Sequence, residues 1–311
     1  GFHSQKNNNY GKFKIGAKGS LLEIIESKEN GYSNELKLSN SGIIVAKTKS
    51  IGQLLPKLNN KNKKREYLLT DLVNLAQKNN MSVTYLECSE MECQGVNSQS
   101  DLSSAEKLFQ EQFRLNLMNS GVTLRAPETC FFSFDTKIAP GCIIEPNVVF
   151  GHGVKVKNNT TIKSFSHIEG AQIGKDCQIG PFARIRPETH LDNGVKVGNF
   201  VEIKNSSFSL EAKASHLSYI GDALVGKGTN VGAGTIFCNY DGKNKNKTVI
   251  GDRVFIGSNS SLIAPLKVGS EAVIAAGSVI SNDVPASSLA ISRSTQKNKL
   301  SIGKKFMMKK K

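Results

Sequence analysis

An apolar residue recurs at every sixth position through the second half of the chain, from about residue 136 to residue 284. The spacing is five residues instead of six at three places, and one polar segment interrupts the repeat, which resumes after it. Such repeats are typical of a parallel β-solenoid, in which each unit is a short strand plus a turn and the periodic side chain points inward. The residues in phase are Ile138, Ile144, Phe150, Val156, Ile162, Ile168, Ile173, Ile179, Ile185, Leu191, Val197, Ile203, Phe208, Ala214, Ile220, Val225, Val231, Phe237, Ile250, Ile256, Leu262, Val268, Ile274 and Ile280.

Glycine directly follows many of these inward positions, where a turn conformation is needed. Three six-residue units close one triangular coil, and stacked coils bury one continuous apolar column. We therefore expect a left-handed parallel β-helix, a rare exception to the right-handed rule for parallel crossovers.

Residues 238–249 interrupt the repeat and are rich in Asn, Gly and Lys. A segment this polar does not continue a coil, so we expect it to project outward as a loop. In solenoids such insertions often carry the binding function.

The first part of the chain has a different, α/β pattern. Residues 43–46 and 83–86 read as short buried strands, and residues 66–76 carry apolar side chains at helical spacing. An apolar stripe from residue 100 that stops at Gly121 predicts a linking helix. The predicted organisation is an α/β domain (1–97), a linking helix (98–121), the β-helix (122–293) and a basic tail (294–311).

Composition adds few restrictions. The 311 residues carry a net charge of +15, which suits nucleic acid, anionic surfaces or phosphorylated substrates. Trp is absent and no nucleic-acid-binding motif is recognisable, so nucleic acid is not the expected partner. We find no leader pattern, no apolar run of membrane-spanning length and no Cys-x-x-Cys pair, so we expect a cytoplasmic protein with reduced thiols and no membrane insertion.

His216 is the candidate general base of the β-helix. It lies between the inward positions Ala214 and Ile220 and can face outward, and histidine ordinarily titrates near neutral pH. Glu202, next to inward Ile203, can polarise His216 from the neighbouring coil. The alternatives are an ordinary surface histidine and a solvated carboxylate.

Candidate phosphate ligands are Arg186, Lys204 and Lys245. The planar guanidinium of arginine can donate two parallel N–H groups to a phosphate, and lysine binds it as a single positive charge. In a chain with 41 Lys and Arg residues, any one of them alone is most simply a surface charge. Only their convergence in space would be specific. Residues 231–235 are small and allow a ligand to approach the backbone closely.

Taken together, these motifs resemble a known family. Residues 121–293 are similar to the acetyltransferase domain of the bacterial bifunctional enzymes that join glucosamine-1-phosphate N-acetyltransferase to N-acetylglucosamine-1-phosphate uridylyltransferase and make UDP-N-acetylglucosamine. The segments that carry the resemblance are GPFARIRP at 180–187, VGNFVEIK at 197–204, HLSYIGD at 216–222, NVGAGT at 230–235, CNYDG at 238–242 and AISR at 290–293.

The resemblance implies a role for each matching residue. His216 would be the general base with Glu202 as its partner, and the substrates would be glucosamine-1-phosphate and acetyl-CoA. The expected ligands of the sugar phosphate are Arg186, Lys204, Tyr219 and Lys245. The expected contacts to the sugar or acetyl group are Asn230, Asn239 and Tyr240. The expected lining of the acetyl-CoA site is Ala233, Ser258, Ala276 and Arg293. Family members are homotrimers that share each site between subunits.

Residues 1–97 resemble the later part of the family's uridylyltransferase domain. The resemblance implies that Gly11, Glu26 and Asn40 touch the sugar nucleotide and that Asn97 helps to bind Mg²⁺. The chain starts at Gly1 and the first part of that domain is not in it, so we expect a truncated nucleotidyltransferase domain that does not transfer uridylyl groups. One departure is Lys204-Asn205, where the family would carry a more basic pair.

Two alternatives stay open at this point. One is a different acyltransferase on the same fold, acting on serine, maltose or lipid A, which would carry other loop residues. The other is a non-catalytic β-helix, because a fold alone does not establish an activity.

Overall fold

The structure is a computed structural model that describes residues 1–3, 10–17, 19–26, 38–62, 65–93 and 95–307. It divides into two compact units, residues 1–108 and residues 109–311. The division falls inside the helix Gln99–Asn119, and the boundaries expected at residues 97, 121 and 293 stay predictions. Residues 308–311 of the expected basic tail lie outside the described residues.

The second unit is a parallel β-helix with three faces, each a parallel sheet of stacked short strands. The strands of the first face are Lys137–Ile138, Lys155–Val156, Ala171–Ile173, Thr189–Leu191, Ser207–Phe208, Ala223–Val225, Thr248–Ile250 and Leu266–Val268. The strands of the second face are Thr123–Leu124, Ile143–Ile144, Thr161–Ile162, Gln178–Ile179, Lys196–Asn199, Lys213–His216, Asn230–Val231, Phe255–Ile256, Val273–Ile274 and Leu289–Ala290. The strands of the third face are Phe131–Phe132, Val149–Phe150, His167–Ile168, Arg184–Ile185, Glu202–Lys204, Tyr219–Gly221, Ile236–Cys238, Ser261–Ile263 and Val279–Ile280.

The six-residue period of the sequence matches the pattern of buried side chains in the β-helix. Every apolar residue that the sequence places in phase is buried, and together they form one continuous core cluster along the axis of the coils. Branched side chains predominate there because they pack well against the pleated surface of neighbouring strands. The predicted left-handed β-helix is confirmed.

The linking helix covers the open end of the first coils. Gln110 is buried on it, and its side-chain amide donates to the Phe132 carbonyl at 2.7 Å and accepts from the Phe132 N–H at 3.0 Å. Phe113 packs on the core beside Phe132, with ring centroids 5.5 Å apart. An exposed sheet end offers unpaired backbone groups, and Gln110 satisfies those of Phe132.

The first unit contains a four-stranded antiparallel sheet and short helices. The strands, in sheet order, are Phe2–His3, Leu38–Ser39, Lys12–Ile15 and Leu21–Ile25. The α-helices of this unit are Thr48–Leu54 and Asp71–Lys78, and its 3-10 turns are Leu55–Lys57 and Glu90–Cys93. The second unit adds the 3-10 turn Pro127–Thr129 and the short helix Gly303–Met307.

Two short strands expected in the first unit are wrong. Residues 43–46 are irregular, with Ile43 71% and Val45 93% exposed. Residues 83–86 are also outside any strand: the Val83 carbonyl accepts from the Leu21 N–H at 3.2 Å, but Leu86 is 84% exposed. Short apolar runs do not specify a strand unless a neighbouring strand is available to pair with them.

None of the helices in the described part of the chain is long and apolar enough to cross a membrane.

Candidate active site on the β-helix

His216 lies at the end of a second-face strand, at the corner that leads to the third face. Its partner one coil below is Asn199, the residue directly in register with it. His216 Nδ1 and Asn199 Oδ1 are 2.6 Å apart. Because an amide oxygen only accepts hydrogen bonds, we assign the proton to Nδ1, which leaves the lone pair on Nε2 of an exposed ring.

Glu202 is the partner that the sequence predicts for His216, and in this structure its carboxylate forms an ion pair. Its carboxylate Oε1 pairs with Arg186 Nη1 at 2.8 Å, and both side chains are about one-third exposed. A carboxylate on one arm of a guanidinium restricts the plane in which the remaining N–H groups can be presented. In this structure Glu202 orients Arg186, and Asn199 orients His216.

Three basic side chains converge at the far edge of the third face. Arg186 directly follows the strand Arg184–Ile185, and Lys204 is the last residue of the neighbouring strand one coil higher. Lys245 comes from the loop that interrupts the repeat. The hydrogen bond and the charge of Lys245 lower the pKa of Lys204, with smaller contributions from burial and from Arg186. Like charges held this close favour binding of an anion, because an anion removes their mutual repulsion.

The loop that brings Lys245 into this cluster is ordered by its own hydrogen bonds. Tyr240 and Lys245 form an antiparallel bridge, and the Asp241 carboxylate accepts the backbone N–H groups of Lys243 and Asn244 at 2.8 and 2.6 Å. These bonds, that from Asn244 first, lower the pKa of Asp241. The predicted projecting loop is confirmed, since residues 240–245 are all exposed.

Gly221 makes room for two polar side chains beside the basic cluster. It occupies the position directly above Lys204 on the third face. A Cβ atom at Gly221 would lie 2.6 Å from Tyr219 Oη and 2.6 Å from Asn239 Nδ2. Asn239 is buried, and its Nδ2 is 3.5 Å from Tyr219 Oη. Tyr219, Asn239, Lys204 and Lys245 therefore belong to one polar surface.

The residues expected to line the acetyl-CoA site form a column above His216. The Gly234 N–H donates to the His216 carbonyl at 3.3 Å, and the next coils continue with Asn259 N–H to the Ala233 carbonyl at 2.7 Å and Gly277 N–H to the Ser258 carbonyl at 2.8 Å. Arg293 Nη1 reaches the Ala276 carbonyl at 2.6 Å. Asn230 is half-buried on the second face, one coil above Lys213.

The residues expected to touch a sugar nucleotide lie in the first unit. The Asn40 N–H donates to the Gly11 carbonyl at 2.7 Å, and Glu26 Oε1 accepts from Thr70 Oγ1 at 3.0 Å. A Cβ at Gly11 would lie 3.4 Å from Glu26 Oε1. These contacts bring Gly11, Glu26 and Asn40 together.

Asn97, the expected Mg²⁺ ligand, is exposed, and its backbone N–H donates to Asp101 Oδ2 at 3.1 Å. Within the residues that the structure describes, no three His, Cys, Asp or Glu side chains form a group able to hold a metal ion. Mg²⁺ needs several oxygen ligands in near-octahedral geometry. Asn97 would supply one amide oxygen to such a site, and its role as a Mg²⁺ ligand stays a prediction.

Comparison with known proteins gives the family. The bacterial transferase hexapeptide family (six repeats) matches residues 135–170, 170–205 and 247–282. The chain is 49% identical over 293 residues to "Bifunctional protein GlmU" of Wolbachia pipientis wMel, covering 94% of this chain and 68% of that protein. It is 45% identical over 303 residues to the protein of the same name from Zymomonas mobilis subsp. mobilis, covering 97% and 67%. This chain belongs to the GlmU family.

The family resemblance seen in the sequence is thus confirmed, and GlmU membership supports an acetyltransferase role in UDP-N-acetylglucosamine synthesis. The chain spans about two thirds of the length of these GlmU proteins. Among solved structures, the LpxA UDP-N-acetylglucosamine acyltransferase of Bacteroides fragilis 9343 aligns with 53% of this chain and 67% of its own, at 18% identity and a TM-score of 0.36. Similarity at that level carries no argument about substrate.

Two polar residues of the site were not anticipated from the sequence. Asn199 contacts His216, and Asp222 accepts hydrogen bonds from Asn239 and Asn205. Coil length is the signal that points to Asn199, because 17 residues separate it from His216 and bring it to the same corner one coil lower.

Proposed function

We propose that the β-helix transfers the acetyl group of acetyl-CoA to the amine of glucosamine-1-phosphate, giving N-acetylglucosamine-1-phosphate. The observation that carries this proposal is the convergence of Arg186, Lys204 and Lys245 beside Tyr219 and Asn239. A sugar monophosphate offers a dianion for the three cations and hydroxyl and amino groups for the neighbouring polar side chains.

In the proposed reaction, Nε2 of His216 takes a proton from the substrate amine as the nitrogen attacks the thioester carbonyl carbon. The new N–C bond forms, the C–S bond breaks, and the proton returns from His216 to the CoA sulfur. The hydrogen bond from Nδ1 to Asn199 supports this role, because it favours the tautomer whose lone pair is on Nε2 and stabilises the imidazolium that forms in the reaction.

The column formed by Ala233, Ser258 and Ala276 is the proposed place for acetyl-CoA. Its small side chains allow an extended ligand to lie along the corner of the coils above His216. Such a position would bring the thioester to the histidine, while the phosphate occupies the basic cluster at the other edge of the third face.

The corner beside His216 also supports the proposed homotrimer. Phe165, Phe182, Phe200 and Leu217 follow one another in successive coils and are 53%, 44%, 55% and 60% exposed. Adjacent rings stack with centroids 4.9 and 5.1 Å apart. We call these four residues the apolar ridge. Contiguous apolar surface of this kind favours association, and a second subunit on the ridge would lie next to the proposed base.

The test is release of free CoA thiol on mixing the purified chain with acetyl-CoA and glucosamine-1-phosphate. We expect His216→Ala to lower kcat by about 10²- to 10⁴-fold, the usual contribution of a general base. His190→Ala is the matched control, because His190 is exposed on the first face and should leave kcat unchanged. Unphosphorylated glucosamine should not be a substrate. A folded wild-type protein that releases no CoA would overturn the proposal.

A further inference from the structure

Asp222 is a buried carboxylate beside the basic cluster. It is only 7% exposed and lies at the corner that follows the strand Tyr219–Gly221. Oδ1 accepts from Asn205 Nδ2, one coil below, and Oδ2 accepts from Asn239 Nδ2, one coil above, each at 2.5 Å. A buried carboxylate is expensive unless it is hydrogen-bonded, and here both oxygens are.

These contacts determine the orientation of the Asn239 amide. A carboxylate only accepts hydrogen bonds, so the NH₂ group of Asn239 must face Asp222. The same NH₂ group lies 3.5 Å from Tyr219 Oη. The carbonyl oxygen is therefore held on the opposite side of the amide, as an acceptor.

The Asn239 amide is bonded to Asp222, whose backbone adjoins the strand that ends at Lys204, one of the cations proposed to hold the phosphate. Asp222 follows the Gly221 position above Lys204, and its own N–H donates to the Lys204 carbonyl at 3.1 Å. In glucosamine-1-phosphate the amine is on the carbon next to the one that carries the phosphate. When the phosphate is bound to the basic cluster, the substrate amine is the nitrogen donor nearest to the carbonyl oxygen of Asn239.

We propose that Asp222 is a positioning residue for acetyl transfer, which fixes the Asn239 amide so that its oxygen accepts a hydrogen bond from the substrate amine. This inference rests on the proposed function. One N–H held by Asn239 restricts rotation of the amine and directs its lone pair away from Asn239. Orientation of this kind raises the rate of attack without adding a reacting group.

Asp222 also acts on the cluster through its charge. Its carboxylate raises the pKa of Lys204, opposing the larger lowering by Lys245. Removing the carboxylate should therefore make Lys204 lose its proton at a lower pH. The pH dependence of KM therefore reports the charge of Asp222, separately from its hydrogen bond to Asn239.

The experiment compares Asp222→Asn with Asn205→Ala in the CoA-release assay. Asp222→Asn keeps the shape of the side chain but lets the Asn239 amide rotate by a half-turn, which exchanges its oxygen and its NH₂ group. We therefore expect kcat/KM to fall about 100-fold. Asn205→Ala removes the bond to the other oxygen and leaves Asn239 held, so we expect kcat/KM within about threefold of wild type. The alkaline rise in KM for glucosamine-1-phosphate should begin at lower pH in Asp222→Asn.

The exchange Asp222→Asn with Asn239→Asp is the decisive variant. It restores a donor–acceptor pair and returns an acceptor oxygen to the substrate side, so we expect it to recover at least about tenfold in kcat/KM over Asp222→Asn. The thermal midpoint of each variant is measured alongside.

Three results would overturn the positioning role: wild-type kinetics in Asp222→Asn, an equal loss in Asn205→Ala, or an exchange variant that regains stability but not activity. A wild-type protein that releases no CoA would instead overturn the proposed function.

Discussion

Gly221→Ala tests how closely the backbone of the third face approaches the candidate site. The added Cβ atom would lie 2.6 Å from both Tyr219 Oη and Asn239 Nδ2, and 3.0 Å from Tyr219 Cζ. The backbone of Gly221 is not in the left-handed region, so alanine can adopt its conformation. The three atoms nearest to the added Cβ atom therefore belong to two polar side chains of the site.

The size of the effect follows from these distances. Ordinary contacts to a Cβ atom begin at 3.4 Å, so each polar atom must retreat by about 0.8 Å. A misplacement of about 1 Å in a catalytic site can reduce the rate about 10²-fold. We expect kcat/KM to fall about 100-fold, equivalent to about 2.7 kcal/mol of transition-state stabilisation. The free energy of unfolding should change by only about 1 kcal/mol, because half-buried Tyr219 can move toward solvent.

The assay measures CoA release over a range of glucosamine-1-phosphate concentrations, together with thermal unfolding by circular dichroism. Gly303→Ala is the matched control, because a Cβ there has no atom within 4 Å and the backbone is again outside the left-handed region. Wild-type kcat/KM in Gly221→Ala, with an unchanged melting temperature, would refute the argument that this glycine makes room for Tyr219 and Asn239.

Two further predictions concern the basic cluster and the apolar ridge. Because Lys245 lowers the pKa of Lys204, the KM for glucosamine-1-phosphate should rise at alkaline pH, and Lys204→Arg should remove that rise since arginine stays charged. Lys243→Arg in the same loop is the control, and an unchanged alkaline rise in Lys204→Arg would contradict the assignment. Phe200→Ser should convert the proposed trimer to smaller species in light scattering after size exclusion, since it removes a 55% exposed ring from the apolar ridge. Phe134→Ser, which changes a more exposed ring (72%) outside the ridge, should leave the mass unchanged, and a trimer that survives Phe200→Ser would count against the ridge as the interface.

The β-helix could be predicted from the sequence because its period is a local property. Each coil repeats the same packing requirement every six residues, so an inward residue such as Ile203 or Ile220 satisfies it without information from distant parts of the chain. The same regularity explains why the loop containing Lys245 could be recognised, since polar residues there break a period that is otherwise maintained.

The short strands expected at residues 43–46 and 83–86 show where local pattern is insufficient. Both runs carry strand-favouring residues, yet Val45 and Leu86 are largely exposed. A strand of four residues gains its stability from a partner across the sheet, and periodicity in so short a segment does not reveal whether one is present.

The sequence by itself determined the repeat, the family and the residue types of the candidate site. Only the tertiary structure decided how those residues pair: Glu202 with Arg186, Asn199 with His216, and Asp222 with Asn239. The physical reason is that these pairs join residues of different coils or strands. Their contacts depend on the register between coils and on the close approach of Tyr219 and Asn239 to Gly221, and neither is visible until the chain is folded.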